Sequence, residues 1–203
     1  IQSKVSFGDM LFKADSDGQE LRLLRALRAR GSVEHKKGLF NIMNYELTVD
    51  KNLVLEAPLN AKNGNLKFDL VADAIFEIRA GGSLVDNTIK YLELTKVLEE
   101  PSTPTPPERE LRVSFPNDIT CKELRLYRPT NCNIQNPASR IIVTTRLDIV
   151  SKIYGGQLVL DGMVWLPIGW GRGEDCLLTP NTKVNMASTL RVEKVITLSQ
   201  GST

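Results

Sequence analysis

The feature that most restricts the fold of this chain is the alternation of apolar and polar residues in short runs. Within residues 61–82, Leu66, Phe68 and Leu70 alternate with charged residues, and glycine-containing turn pairs flank the run. A period of two places successive side chains on opposite faces of a strand. Similar runs predict strands at residues 4–13, 38–49, 52–59, 110–115, 122–129, 140–150, 156–170 and 188–198. The chain is therefore predicted to be dominated by β-strands.

One segment near the start has helical spacing instead. Asp17 lies three residues before Glu20, which is the spacing of a capping box. Apolar residues then recur at three-residue intervals from Leu21 to Leu27, and a glycine follows as a C-cap. These features predict one short helix over residues 17–31.

A proline-rich stretch, residues 101–108, divides the chain. Proline has no main-chain N–H to donate within a sheet, so this stretch is predicted to be a surface loop or a linker. The tripeptide Val-Ser-Phe occurs on both sides of it, as do other short similarities in the same order. The expected organisation is a single β-sandwich domain over residues 1–203. Two small β units, 1–100 and 108–203, related by duplication, are the alternative.

Composition argues against several classes of protein. With 41% hydrophobic and 25% charged residues, the chain is expected to be globular rather than disordered. A net charge of +2 argues against a surface that is basic throughout. No apolar run approaches the ~18 residues of a membrane span, so none is expected. An odd number of cysteines (Cys121, Cys132 and Cys176) predicts folding in a reducing, intracellular setting.

Residues that could form a catalytic or metal site are present, but they form no recognisable motif. His35 is the only histidine and lies in a polar, cationic segment predicted to be an exposed loop. The cysteines lack the spacing of zinc ligands. The candidate carboxylates are Asp69, Asp73, Glu77, Asp148, Asp161, Glu174 and Asp175. We therefore expect no enzyme activity, no cofactor and no metal; an enzyme with a scattered carboxylate site is a remaining alternative.

The glycine-rich segment IGWGRGEDC, residues 168–176, is a candidate phosphate-binding loop, but it lacks the spacing and the following helix of such loops. Its spacing is G-x-G-x-G, which matches neither the dinucleotide-binding nor the P-loop motif. Pro180 follows where a phosphate-binding helix would have to begin. The segment is interpreted as a turn at the end of a strand. Trp165, Trp170 and Arg172 are then candidates for a subunit interface.

Basic residues on and after the predicted helix are the candidate contacts for nucleic acid or an acidic partner. They are Arg22, Arg25, Arg28, Arg30, Lys36 and Lys37. Three-residue spacing places the first three on a broadly common helical face, where they could neutralise phosphates. A solvated face, with cations near the C-terminal end of the helix, is the simpler interpretation.

The order of strand, short helix and strand at the start resembles that of jelly-roll capsid subunits of picorna-like plant viruses. The corresponding segments are KVSFGDMLF, QELRLLRALRARG and GLFNIMNYELTV. The resemblance implies an all-β fold, an antiparallel β-sandwich of jelly-roll type with one short helix after the first strand. A first residue other than methionine, Ile1, would suit release from a polyprotein.

This resemblance also implies a function. The chain would be a non-enzymatic structural subunit of a viral shell that self-associates and encloses RNA. Its partners would be copies of itself or homologous subunits, with RNA as a candidate partner. It would occur in the virion and, before assembly, in the host cytoplasm. The alternative is a nucleic-acid-binding viral transport or movement protein that uses the basic helix.

Overall fold

Strands form all the regular structure of the described residues, and no helix occurs among them. The computed structural model describes residues 5–96, 110–127, 130–149, 151, 153–161, 163–166, 172–173, 176–178, 183–186, 191–192 and 196–198. The strands fall into three rows, and the chain visits the rows in the same order in every coil. We number these rows 1 to 3 in the order in which the chain enters them.

Four long strands pass from row 3 into row 1: β9 (Pro58–Leu70), β11 (Ser83–Lys96), β13 (Ile119–Leu126) and β15 (Arg140–Ile149). Row 1 contains the second parts of these four strands. Its other strands are β1 (Val5–Phe7), β4 (Leu27–Ala29), β7 (Glu46–Val49), β18 (Met163–Leu166) and β21 (Lys183–Met186). Row 2 contains β2 (Met10–Lys13), β5 (Val33–Lys37), β8 (Leu53–Leu55), β10 (Ala74–Ile78), β12 (Leu111–Phe115), β14 (Thr130–Ile134) and β16 (Ile153–Gly155). Two later strands, β19 (Arg172–Gly173) and β22 (Arg191–Val192), take the same place in the coil order and pair with each other. Row 3 contains β3 (Glu20–Arg22), β6 (Leu39–Asn41), the first parts of β9, β11, β13 and β15, then β17 (Gln157–Leu160), β20 (Cys176–Leu178) and β23 (Ile196–Leu198).

Every pair of neighbouring strands is parallel, and the neighbours come from successive coils. In row 1, for example, Leu47 of β7 lies beside Leu66 of β9. In row 3, Phe40 of β6 lies beside Leu59 in the first part of the same long strand. Parallel neighbours need a long connection, and the other two rows of the coil provide it. The chain is a parallel β-solenoid, so the predicted antiparallel sandwich of jelly-roll type is wrong.

Stacked leucines form the centre of row 1. One leucine per coil lies in register with the next, and we call this set the leucine ladder: Leu27, Leu47, Leu66, Leu92, Leu124 and Leu147. All six are buried. Phe76 of row 2 packs against Phe68 and Phe115, with 6.0 Å between ring centroids in both pairs. Burial of each such side chain stabilises the fold by ~1.5–3 kcal/mol.

The helix predicted over residues 17–31 is absent, and two short strands take its place. Leu21 and Leu23 pack inward at the end of row 3, and Leu27 packs inward at the start of row 1. Leu24 lies in the turn between them and is 82% exposed. Two strands of period two, separated by a turn, therefore produce an apolar spacing that imitates a helical period.

Aspartate and asparagine side chains connect successive coils at the corners. Their Oδ1 atoms accept main-chain hydrogen bonds at 2.6–3.0 Å from residues of the next coil: Asp9 from Ser32, Asn52 from Ile75, Asp73 from Arg112 and Asp118 from Arg140. Gly31, predicted as a helix C-cap, instead lies beside the Asp9 side chain that accepts the bond from Ser32. A Cβ atom at Gly31 would lie 2.0 Å from the Asp9 Oδ1 atom, so the corner has no room for a side chain.

The solenoid continues on both sides of the proline-rich stretch. Residues 97–109, which include the predicted loop 101–108, lie outside the described residues. On either side of them, β11 and β13 pair directly, with Leu92 beside Leu124. The choice between one domain and two units stays a prediction.

Candidate functional site

His35 is a structural cross-link rather than an exposed loop residue. It lies in β5 with no exposed surface, which contradicts the expectation from sequence. Its Nε2 atom is 2.9 Å from the Gly38 carbonyl oxygen and 3.1 Å from that of Pro58, while Nδ1 is 3.3 Å from the Phe12 carbonyl oxygen. All three partners are carbonyl oxygens, which accept hydrogen bonds, so the ring takes part in these contacts as a donor. The ring thereby joins three successive coils.

The basic residues predicted to share a helical face lie in different parts of the solenoid. Arg22 is in row 3, Arg28 is in row 1, and the adjacent Lys36 and Lys37 are in row 2. Arg25 lies in the turn between β3 and β4, and Arg30 directly follows β4; both are exposed. The shared face was inferred from a helix that does not form. The described structure therefore does not bring the six residues together as one stripe.

Several of these cations are already paired with acceptors of the protein. Arg22 is bonded to Glu20, and Lys36 lies 3.1 Å from a Glu34 carboxylate oxygen. Lys37 donates to the Asp15 carbonyl oxygen at 2.8 Å. Such pairing reduces the positive charge that this region could offer to a phosphate.

Arg28 holds two carboxylates on the outer side of row 1. Its Nη2 atom donates to Asp50 Oδ2 at 3.0 Å, and its Nη1 lies 2.9 Å from Asp69 Oδ2. The Asp50 side chain is only 4% exposed, while that of Arg28 is 26% exposed. Burial raises the pKa of Asp50, and the contact with Arg28 opposes that rise. The two carboxylates are thus bound to one guanidinium group and are not open to a substrate.

Further along row 1, charged side chains of successive coils form what we call the charge ladder. It comprises Lys67, Glu93, Glu123, Arg125, Arg146 and Asp148. Lys67 lies 2.9 Å from Glu93, Arg125 lies 2.9 Å from Glu123, and Arg146 lies 3.3 Å from Asp148. Their side chains are 17–32% exposed. The charges of the ladder therefore compensate one another.

Two tyrosines complete the outer side of this row. Arg125 lies over the Tyr91 ring, 5.0 Å from its centroid, which is a cation–π contact. The Tyr127 hydroxyl donates to Asp148 at 3.3 Å. Burial raises the pKa of Tyr127, and the nearby Asp148 charge adds to that rise. This tyrosine is therefore a neutral hydrogen-bond donor at ordinary pH, not a base.

The described cysteines are structural thiols. Cys121 and Cys132 are free and fully buried. Burial raises the pKa of both thiols, which disfavours the thiolate needed for nucleophilic or metal-binding chemistry. Cys176 lies in β20, and its side chain lies outside the described part of the structure.

The residues predicted to form a subunit interface are placed only in part. Trp165 lies in β18 beside Arg146, and Arg172 lies in β19. The side chains of both are outside the described structure, as are Trp170 and most of the glycine-rich segment 168–176. The interface assigned to these three residues stays a prediction.

The first coil has an open edge, which the sequence analysis did not identify. In the described residues, β1, β2 and β3 each have a strand neighbour on one side only. Phe7 of β1 is 48% exposed and Leu11 of β2 is 59% exposed. We call these three strands the N-terminal edge. The leucines of the ladder recur once per coil, and this repeat was the signal that could have revealed the solenoid and its edge. Their spacing in the sequence is irregular, so the repeat was not recognised.

The fold and these contacts define the class of the protein, a parallel β-solenoid with a charge-compensated outer row. Comparisons with protein-family models, with curated protein sequences and with solved structures give no match to this chain. No helix in the described residues could cross a membrane. No group of three or more His, Cys, Asp or Glu side chains among them could hold a metal ion.

Proposed function

We propose that this chain is a non-enzymatic structural subunit that assembles head to tail, with strands β1 to β3 of one copy stacked on strands β21 to β23 of another. The N-terminal edge carries this proposal, because its three strands each lack a neighbour on one side in the described residues. Strands β21, β22 and β23 likewise each have one strand neighbour among the described residues. Head-to-tail stacking would continue the parallel rows from one copy into the next.

The main chain of β2 is suited to such stacking. The Met10 N–H donates to the Ser32 carbonyl oxygen at 2.8 Å, and the Ala14 N–H donates to the Lys37 carbonyl oxygen at 3.1 Å. Alternate residues of a strand direct their N–H and C=O groups to opposite sides. Leu11 therefore directs these groups away from β5, as a template for another strand.

One exposed apolar side chain, that of Leu11, accompanies these unpaired groups. The exposed Leu11 side chain borders a cavity of about 370 Å³, whose other lining residues are Asp9, Met10, Ser32 and Glu34. A strand docked on β2 would cover this surface and pair the outward main-chain groups. Contacts between two different ends form an open filament when successive copies continue along one axis, and stacking of coils adds copies in that way, so the expected product is an open filament.

Replacement of Leu11 by proline tests the proposal. Leu11→Pro removes the outward N–H and places a ring at the edge, while the hydrogen bonds from β2 to β5 remain. Wild-type protein should grow in mass with concentration, and Leu11→Pro should keep the mass of one chain. Sedimentation velocity over a concentration series measures this, and electron microscopy should show filaments of the wild type only.

Two lysine variants separate strand pairing from general apolar contact. Leu11→Lys places a charge on the edge strand, whereas Leu24→Lys replaces a more exposed leucine in a turn. The first should prevent assembly and the second should not. A wild-type protein that stays monomeric at every concentration contradicts the proposal. Assembly of folded Leu11→Pro to the wild-type extent contradicts it too, with circular dichroism confirming the fold.

The viral functions expected from the resemblance remain proposals of weaker support. The shell assignment depended on jelly-roll order, which the parallel solenoid replaces. Enclosure of RNA depended on the same resemblance. The movement-protein alternative depended on a basic helical stripe, and the basic residues lie in separate rows. The virion and host-cytoplasm locations stay predictions as well.

A further inference from the structure

We infer that a groove at the corner between rows 2 and 3 binds a short neutral oligosaccharide. The groove has a volume of about 430 Å³ and spans three successive coils, at the β10–β11 turn, the β12–β13 turn and the start of β15. Small-ligand sites typically occupy ~300–1,000 Å³. We call it the corner groove; its polar side chains are Ser83, Asn87, Asn117, Asp118, Thr120 and Arg140.

Hydrogen bonds between coils hold the frame of the groove. The Asn117 Oδ1 atom accepts a bond from the Ile78 N–H at 2.8 Å. Asp118 accepts the Arg140 main-chain N–H at 2.8 Å through Oδ1, and it accepts Nε and Nη2 of the same arginine at 3.1 and 2.8 Å through Oδ2. A frame fixed in this way loses little conformational entropy when a ligand binds.

Other polar groups of the groove are free to meet a ligand. No hydrogen bond joins the side chains of Ser83, Asn87 or Thr120 to another of the described residues. Thr120 faces outward because its neighbours Ile119 and Cys121 are buried on the inner side of β13. These hydroxyl and amide groups can each donate and accept a hydrogen bond.

A bulge in β11 places Asn87 at the groove. Asp86 and Asn87 have positive φ angles of 54° and 50°, and the register of β11 shifts between Leu84 and Ile89. Lys62 anchors the bulge through Asp86 at 2.9 Å. Asn and Asp adopt this conformation more readily than other residues that carry a side chain. The bulge therefore takes Asn87 out of the regular strand and leaves it in the lining of the groove.

The chemistry of the lining selects the class of ligand. Asp118 and Arg140 are its only charged residues, and they neutralise each other. Ile78, Leu84 and Ile142 supply apolar surface between the polar groups. A sugar ring offers hydroxyls for the uncommitted amide and hydroxyl groups, and C–H surface for the isoleucines. A phosphorylated or acidic ligand would lack a free cation here.

Isothermal titration calorimetry of the full chain against neutral trisaccharides tests the inference. The probes are maltotriose, cellotriose, mannotriose and triacetylchitotriose. At least one should bind with one site per chain. Thr120→Val and Asn87→Gly should each weaken binding about fivefold, the equivalent of one lost hydrogen bond. Glycine at position 87 keeps the positive φ and removes only the amide.

Thr95→Val is the matched control, because it makes the same change in row 1 of β11, outside the groove. Its affinity should equal that of the wild type. Failure of all four sugars to bind overturns the inference. Equal affinity of Thr120→Val and the wild type overturns it as well, and so does binding restricted to an acidic oligosaccharide or a peptide. None of these outcomes depends on assembly through the N-terminal edge.

Discussion

The charge ladder and the corner groove occupy the same coils and use opposite strategies for polar side chains. In the ladder, Lys67 and Arg125 have carboxylate partners at 2.9 Å. In the groove, Thr120 and Asn87 have side chains without a partner among the described residues. The leucine ladder lies in row 1, in the same strands as the charge ladder, whereas the groove is lined by Ile78, Leu84 and Ile142. The two regions therefore differ in whether their polar side chains already have partners, and the inferred binding site is the region where they do not.

The largest effect should come from the core of row 1, which supports the charge ladder. Leu66→Ala opens a cavity in the leucine ladder, where Leu66 is fully buried between Leu47 and Leu92. We expect the free energy of unfolding to fall by about 3 kcal/mol. Urea denaturation measures this loss. Leu66→Met conserves the volume and should cost much less; an equal loss in both variants would contradict the cavity as the cause of the effect.

Arg28→Ala should have the next largest effect and should depend on pH. It leaves the buried Asp50 without its guanidinium partner, which should cost about 2 kcal/mol at neutral pH, less than for a fully buried pair because Arg28 is partly exposed. Urea denaturation at about pH 7 and about pH 4 measures the cost.

The direction of this pH dependence follows from the pKa of Asp50. Burial raises that pKa, and loss of Arg28 removes the main effect that opposes the rise. A carboxyl with a raised pKa in the folded state contributes most stability below its unfolded pKa and loses it as the pH rises. The difference between wild type and variant should therefore shrink toward about pH 4. A difference that grows in acid would contradict an unpaired Asp50 charge.

Changes in the groove should have the smallest effect on stability. Thr120→Val removes a hydroxyl that has no partner within the described structure, so the free energy of unfolding should change by no more than about 0.5 kcal/mol. Thermal and urea unfolding beside Thr95→Val check this. A large loss would mean that Thr120, like the residues of the charge ladder, contributes to stability, and it would contradict the difference drawn between the two regions.

Local pattern predicts the strands of this chain but not their partners. The alternation of Leu66, Phe68 and Leu70 identified part of β9 correctly, because period two follows from one buried face. The same alternation is compatible with parallel and antiparallel neighbours. The recurrence of the leucine ladder once per coil is what indicates parallel neighbours. The sequence separation of neighbouring leucines differs, however, between the pair Leu47 and Leu66 and the pair Leu92 and Leu124. Because the corners differ in length, the coil repeat was not recognisable from the sequence.

The candidate sites were harder to foresee for the same reason. Arg28 shares a site with Asp50 and Asp69 only because successive coils stack, and sequence order gives no hint of it. Asn117 and Asp118 are residue types that favour turns, but the neighbours that make this corner a groove come from the coils before and after. Long-range register, more than local propensity, sets the polar sites of this molecule.

The stacking of each coil on its predecessor also has a consequence for biosynthesis. Strands pair with strands of the adjacent coils only, so no early segment has to wait for a distant part of the sequence. Each new coil finds a finished template as it leaves the ribosome, and the structure can grow in the direction of translation. Order of synthesis and order of assembly coincide in such a chain.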